Sequence, residues 1–144
     1  ELELFGSENA NETTNFGFFE KAKDGTLLID EVTEIPLETQ AKILRVLIDQ
    51  KFRRVNGSKE INVNVRIIST SSKNIREEVD KGNFREDLFH RLNVIKLLLP
   101  KLNERKEDIP ELAKHFFTKS SEELKEEKKF LSEEVENYFK TLLN

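Results

Sequence analysis

The sequence predicts an α/β fold, a parallel sheet with flanking helices that gives way to a separate helical part. Three observations carry that expectation. Short apolar runs end in polar turns at residues 25–31 and 61–72, and each is followed by apolar residues at helical spacing. Strands alternating with helices are the pattern of an α/β sheet. After Pro100 the strand pattern stops, and two more helical stripes follow without a strand beside them.

Each element has its own justification. Residues 7–15 are polar without periodicity and read as a loop. Gly25-Thr26-Leu27-Leu28-Ile29 is too short for a helix and reads as a strand buried on both faces. Pro36 suits a first helical turn. Leu37, Ala41, Leu44 and Ile48 then recur on one stripe, widened by Ile43 and Leu47, which predicts a helix to about Gln50. Asn56-Gly57-Ser58 is a turn signal. Ile61, Val63 and Val65 alternate ahead of Ile67-Ile68, predicting a second strand that ends at Ser69-Thr70-Ser71-Ser72. Residues 74–81 read as a short helix with Gly82 just past its end. Residues 84–92 read as another, and 94–99 as a third strand stopped by Pro100. Ile109, Leu112, Ala113, Phe116 and Phe117 form a helical stripe, with the Phe pair expected in a core. The charge-dense residues 120–129 read as a solvated helix end or linker. A last helix follows Ser132, a fitting N-cap, through Leu131, Val135, Tyr138, Phe139 and Leu142.

Composition narrows the function classes. Of 144 residues, 36% are hydrophobic and 36% charged, and eleven Phe argue against wholesale disorder. Lys plus Arg is 24 against 28 Asp plus Glu, a formal net charge of −4, which excludes a generally basic nucleic-acid binder. Without cysteine, disulfides, thiolate zinc sites and cysteine nucleophiles are excluded, and a reducing compartment fits. No apolar run reaches the ~18 residues of a membrane span, so a cytoplasmic protein is expected. The absence of Met leads us to expect a piece of a longer reading frame.

The chemistry centres on Asp30 and Glu31. A buried parallel strand delivers its C-terminal residues to the crevice where α/β proteins bind ligands. Two adjacent carboxylates there can divide the work: one holds Mg²⁺, the other orients or polarises an attacking water. By themselves the plainer reading is a strand that ends in a solvated acidic turn. Arg85 and Arg91 offer a second feature, arginines presented to a neighbouring subunit's phosphates. The plainer alternative is surface pairing with Glu86 and Asp87, worth under about 1 kcal/mol. His90 and His115 lack ligand spacing and are expected to be partly buried structural residues. Lys51-Phe52-Arg53-Arg54 is expected to be a solvated loop rim.

Several segments then fall in one order and spacing: Glu3-Leu4-Phe5-Gly6, residues 25–31, Gln40 to Leu47, Arg54-Val55-Asn56-Gly57, Val65 to Ile68, Phe84 to Val94 and Leu102 to Pro110. Together they resemble the central AAA+ ATPase domain of bacterial enhancer-binding proteins, the activators of sigma-54 RNA polymerase. The resemblance runs from Glu3 to about Phe117 and continues loosely to the end. It implies a partial AAA+ P-loop NTPase domain without the N-terminal Walker A unit. Residues 1–102 would be the C-terminal part of the α/β subdomain, and 103–144 the start of the helical lid.

The resemblance also implies roles. Asp30 would be the Walker B aspartate, at ATP and its Mg²⁺, and Glu31 the residue polarising the hydrolytic water. Arg85 and Arg91 match arginine fingers that act across a ring interface. Ser71 and Ser72 fall on the sensor I positions at the nucleotide, where the family often has Thr followed by Asn or His. Residues 50–62 match the surface loop that supports a moving loop. That moving loop carries GAFTGA, the grip on sigma-54. Here residues 7–18 replace it, a few residues shorter and without the motif, which narrows the resemblance to NtrX-type response regulators.

The implied whole is an NtrC/NtrX-like two-component response regulator, a homo-oligomeric ring, hexameric in type. ATP binding and hydrolysis would be coupled to transcription, with sigma-54 RNA polymerase as partner. Promoter DNA would be met through a C-terminal domain, and a sensor kinase through an N-terminal receiver, both outside these residues. The alternative is an AAA+ fold that senses nucleotide or oligomerises with little turnover and no sigma-54 contact. A clamp-loader type fits residues 84–94 and 102–110 less well. The 144 residues alone are expected to be inactive on ATP, because no glycine-rich loop with its Lys is among them.

Overall fold

A computed structural model of the chain describes residues 1–8, 14–124 and 132–141. It divides into two compact units, Glu1–Lys96 and Leu97–Asn144. In the first, helix α1 (Leu2–Phe5) leads into β1 (Gly6–Glu8), which pairs antiparallel with β2 (Thr14–Phe16). Helix α2 (Phe18–Lys21) precedes β3 (Thr26–Ile29), and a 3₁₀ turn, Val32–Glu34, leads to α3 (Leu37–Asp49). Then come β4 (Lys51–Arg53), β5 (Glu60–Asn62), β6 (Arg66–Ser69), α4 (Ile75–Asp80) and α5 (Glu86–Leu92).

β3 and β6 pair in parallel, with Thr26 beside Arg66 and Ile29 beside Ser69. The parallel sheet is therefore present, but only one of its faces is covered. Leu27 and Ile29 are buried, whereas Leu28 and Ile68 are 59% and 48% exposed. This corrects the expectation of a strand buried on both sides: the covering elements of this unit lie on the Leu27 side only. The expected second strand is two. Glu60–Asn62 pairs antiparallel with β4 around the 56–58 turn, and the chain breaks from it where Val63 N–H donates to Gln50 O at 2.9 Å.

Residues 94–99 form no strand. Val94, Ile95, Leu97, Leu98 and Leu99 are 75–84% exposed. A strand exists only where a neighbour accepts its ladder hydrogen bonds, and among the described residues none lies beside this segment.

The core gathers Phe5, Phe19 and Phe52, with ring centroids 5.4–5.9 Å apart. Ile43, Val46, Phe84 and Leu88 continue it beneath β3. α3 forms as its periodicity predicts, but turned about its axis: its buried residues are Thr39, Gln40, Ile43 and Val46, while Leu37 and Ile48 are exposed. Hydrophobic periodicity is blind to a buried Gln, and that displaced the expected stripe. α4 and its flanks follow expectation. The Asn74 side chain accepts from Arg76 N–H at the N-cap, and Gly82 takes φ 76° after the last turn.

Gly6 and Gly17 close the base of the β1–β2 hairpin. A Cβ on Gly6, whose φ is 71°, would stand 2.6 Å from Gly17 N, and one on Gly17 would stand 2.5 Å from Phe5 C. Only glycine fits at either position.

The second unit holds two 3₁₀ turns, Leu102–Glu104 and Lys106–Asp108, then α6 (Ile109–Glu123) and α7 (Glu133–Thr141). Pro110 sits in the first turn of α6. Phe116 is 59% exposed and meets His115 edge-on at 5.5 Å, so the expected burial of the Phe116-Phe117 pair is corrected for Phe116. Ser132 Oγ accepts from Val135 N–H at 3.4 Å, in keeping with an N-cap. Leu131, Leu142 and the Phe139 side chain lie outside what the structure describes. Among the described residues, no helix is long and apolar enough to cross a membrane.

Candidate functional site

The parallel register builds the site. β3 and β6 end level with each other, so Asp30-Glu31 and Thr70-Ser71-Ser72 leave the sheet side by side at its carboxyl edge. Backbone bonds continue the pairing: Thr70 N–H donates to Ile29 O at 3.0 Å, and Val32 N–H to Thr70 O at 2.9 Å.

Thr70 is the residue that sequence reasoning missed. Its hydroxyl donates to Asp30 Oδ1 at 2.5 Å and accepts Glu31 N–H at 3.0 Å. One oxygen thus fixes the aspartate rotamer and the turn that carries the glutamate. Only its place directly after the second strand, level with Asp30, could have signalled this. Glu31 itself sits in the left-handed region, at φ 50° and ψ 57°, a conformation that costs a non-glycine residue free energy and concentrates at functional sites.

The two sensor-position serines part company. Ser72 N–H and Oγ both donate to Glu31 Oε2, at 2.9 and 3.1 Å. Ser71 Oγ instead closes its own turn, donating to Lys73 O at 2.9 Å and lying 3.1 Å from Thr33 Oγ1. Lys73 pairs with Glu34 at 2.6 Å, and Glu34 chiefly raises the Lys73 pKa. Asp30, Glu31, Thr70 and Ser72 therefore form one connected cluster.

Arg85 and Arg91 do not join it. Arg85 is the N-cap residue of α5, and its guanidinium grips Asp87 at two points, 3.0 and 2.7 Å. That pairing holds the Asp87 carboxyl below its ordinary range. Arg91 Nη2 donates to Leu47 O at 2.8 Å, satisfying a carbonyl in the last turn of α3. Among the described residues no hydrogen bond or ion pair links either arginine to Asp30 or Glu31. Arg85, Glu86, Asp87 and His90 line an open concave surface.

Three further expectations need correction. The His90 side chain is 66% exposed, and His115 is exposed as well, so neither is a partly buried structural residue. Arg54 is no solvated rim. Its side chain is 10% exposed; Nε and Nη2 donate to Glu20 at 2.8 and 2.6 Å, and Nη1 to Glu8 at 2.5 Å. Phe52 beside it belongs to the core. Phe52 is the inward residue of β4, and Val55, just past Arg54, is bridged to Ser7, which seats this stretch beside the first hairpin.

The donor set suits a hard cation with nucleotide phosphates. Among the described residues, no three His, Cys, Asp or Glu side chains gather to hold a metal by themselves. Asp30 is exposed, and Thr70 engages one of its oxygens. Mg²⁺ is commonly bound in this way, by one or two carboxylates together with substrate phosphates.

Known proteins place the chain. The Sigma-54 interaction domain model matches residues 1–98, and the AAA+ ATPase lid domain model matches residues 103–142. Over 141 residues the chain is 50% identical to the DNA-binding transcriptional regulator NtrC of Escherichia coli (strain K12), covering 94% of this chain. It is 46% identical over 117 residues to the nitrogen assimilation regulatory protein NtrX of Azorhizobium caulinodans, covering 81% of this chain and 26% of that protein. The crystal structure of NtrX from Brucella abortus superposes with a TM-score of 0.88 at 42% identity, over 97% of this chain and 32% of the other. The same protein in complex with ATP superposes with a TM-score of 0.83 at 41% identity, again over 97% of this chain and 32% of the other. The chain spans 30% of the length of the NtrC relative.

Proposed function

Because the chain belongs to the Sigma-54 interaction domain family, we propose that it is the ATP-hydrolysing AAA+ module of an NtrC/NtrX-type transcriptional regulator. The observation that carries this reading is the cluster at the sheet edge, where Thr70 holds both Asp30 and the backbone of Glu31. ATP is the nucleotide, in keeping with the ATP complex of the Brucella relative.

Asp30 would hold Mg²⁺ together with the phosphates, and the bound cation would neutralise charge that develops on them. Glu31 accepts a hydrogen bond from the attacking water once its carboxylate leaves Ser72. Ser72 thereby sets the resting position of Glu31, and Ser71 keeps the turn in shape. Arg85 and Arg91 stabilise phosphoryl charge on the adjacent subunit of a homo-oligomeric ring, hexameric in type, so Arg85 must exchange Asp87 for phosphate. Residues 1–102 form the α/β part and 103–144 the start of the lid, a division supported by the spans of the two family matches. In the longer protein, promoter DNA, a sensor kinase and sigma-54 RNA polymerase are the partners, and the cytoplasm, where bacterial DNA lies, is the compartment.

A nucleotide-sensing module with little turnover is the second reading. The bond of Glu31 to Ser72 favours it, since a glutamate held there polarises no water. Glu31→Gln in the full-length protein tests both. ATP binding should persist while phosphate release stops. Turnover equal to wild type removes Glu31 from the mechanism, and a wild type that binds ATP without releasing phosphate establishes the second reading.

A further inference from the structure

Gln40 is fully buried in α3, at 0% exposure. A buried primary amide is costly unless its groups are paired, and here the pairing is complete on both sides. Nε2 donates to Ile35 O at 2.7 Å and to Asn83 O at 3.1 Å, and Oε1 accepts Arg85 N–H at 2.9 Å. The partners fix the amide orientation. Turned over, it would set N–H against N–H and carbonyl against two carbonyls.

The positions of those partners give the side chain its meaning. Ile35 ends the 3₁₀ turn that begins directly after Glu31. Asn83 and Arg85 flank Phe84, a core residue, and Arg85 opens α5. The Arg85 guanidinium bonds only to Asp87 of its own helix among the described residues. Its anchor to the rest of the unit is therefore its backbone N–H, and Gln40 holds that N–H. One amide thus spans from the end of the carboxylate-bearing turn to the start of the arginine helix.

We propose that Gln40 is a positioning residue for Arg85, setting where the arginine helix begins relative to the body of its own subunit. The proposal rests on the reading above, in which Arg85 serves the neighbouring subunit's nucleotide. A misplacement of about 1 Å can cost about 10²-fold in rate, so Gln40→Met should lower turnover by about that factor. Nucleotide binding and ring assembly should stay near wild type.

Mixed rings of full-length protein separate this role from a merely structural one, with ATP turnover as the readout. Each interface needs Glu31 from one subunit and Arg85 from the next. Glu31→Gln mixed with Arg85→Ala is the control, and it should regain activity that neither has alone. Gln40→Met should behave as an arginine-side variant. Mixed equally with Glu31→Gln it should recover roughly a quarter of the wild-type rate, since about a quarter of interfaces then have both sides intact. Mixed with Arg85→Ala it should recover nothing. Recovery with Arg85→Ala instead makes Gln40 a carboxylate-side residue, and recovery with neither makes it structural; both overturn the proposal. A silent control overturns the reading across the interface, and the proposal falls with it. Should Gln40→Met not assemble, Gln40→Leu, which is shorter and also strands no charge, should give the same pattern. If neither variant assembles, Gln40 serves the fold and not the arginine.

Discussion

Replacing Arg54 by Ala should cost the chain several kcal/mol of stability. The guanidinium is 10% exposed and makes a two-point pair with Glu20, whose side chain is 13% exposed. Removing one partner of a buried pair leaves the other charge uncompensated, at about 3–5 kcal/mol. Glu8 is 31% exposed and adds under about 1 kcal/mol. The Phe16 ring, 5.3 Å from the Arg54 guanidinium carbon, adds about 0.5–1 kcal/mol at so exposed a site. The total, roughly 3.5–7 kcal/mol, is a large share of the ~5–15 kcal/mol that holds a domain folded. Urea unfolding followed by circular dichroism measures it, with Arg54→Ala, Glu20→Gln and the double variant side by side. The double variant should be more stable than Arg54→Ala alone, because Glu20 no longer strands a charge. A loss under about 1 kcal/mol for the single variant, or strict additivity in the double, would refute the burial argument.

Thr70→Val keeps the shape and removes the hydroxyl that holds Asp30 and the Glu31 turn. Turnover of the full-length protein should fall by roughly 10- to 100-fold, the two lost hydrogen bonds together being worth about 1.4–2.7 kcal/mol, with Thr70→Ser near wild type; equal rates for Val and Thr would remove Thr70 from the site. Arg91→Ala should lose about 0.3–1 kcal/mol of stability through the bared carbonyl at the end of α3. If Arg91 also acts across the interface, turnover falls by ~10³-fold or more, and Arg91→Lys should restore stability better than rate. Acid should destabilise the first unit through Glu78 and Asp87. Asn83 and then Lys81 lower the Glu78 pKa, and Arg85 chiefly lowers that of Asp87. A carboxyl lowered in the folded state contributes stability that is full above its unfolded value, near ~4. That contribution is lost as pH falls through the lowered folded value. Melting temperatures from pH 6 to 2 (about the accessible range) should drop less steeply in the Glu78→Gln/Asp87→Asn double variant, and an unchanged slope would exclude these two groups.

What could be read ahead of the structure follows from which interactions are local. The run at 25–29 and the Ile67-Ile68 pair announced β3 and β6, and Asp30-Glu31 announced the turn at the end of β3 that carries the candidate carboxylates, because a strand and its polar exit are written in adjacent residues. Asn74 and Gly82 marked the ends of α4 for the same reason. The β1–β2 and β4–β5 pairs were hidden, since three-residue strands carry too little periodicity to stand out from a loop. Residues 94–99 misled in the opposite direction: their pattern is that of a strand, but a strand is a property of two segments. Arg54, Gln40 and Thr70 were unreadable because each matters through partners 34–46 residues away. Charge and polarity in sequence default to solvent, and only the fold shows which polar groups have found partners inside.

The paired glycines at the base of the first hairpin have a consequence for how this protein can change over generations. Gly6 and Gly17 bring the incoming and outgoing chain together at one narrow neck, closed to any other side chain. What lies between them enters and leaves at that point, so its length is nearly independent of the core below. Doubling a loop costs only about 0.6 kcal/mol of closure entropy. A lineage can therefore trim, extend or replace this stretch as an exchangeable cassette while the α/β body keeps its sequence. An engineer can do the same, keeping Ser7, Glu8 and Phe16 with their contacts to Val55 and Arg54 and grafting a foreign loop between Glu8 and Thr14.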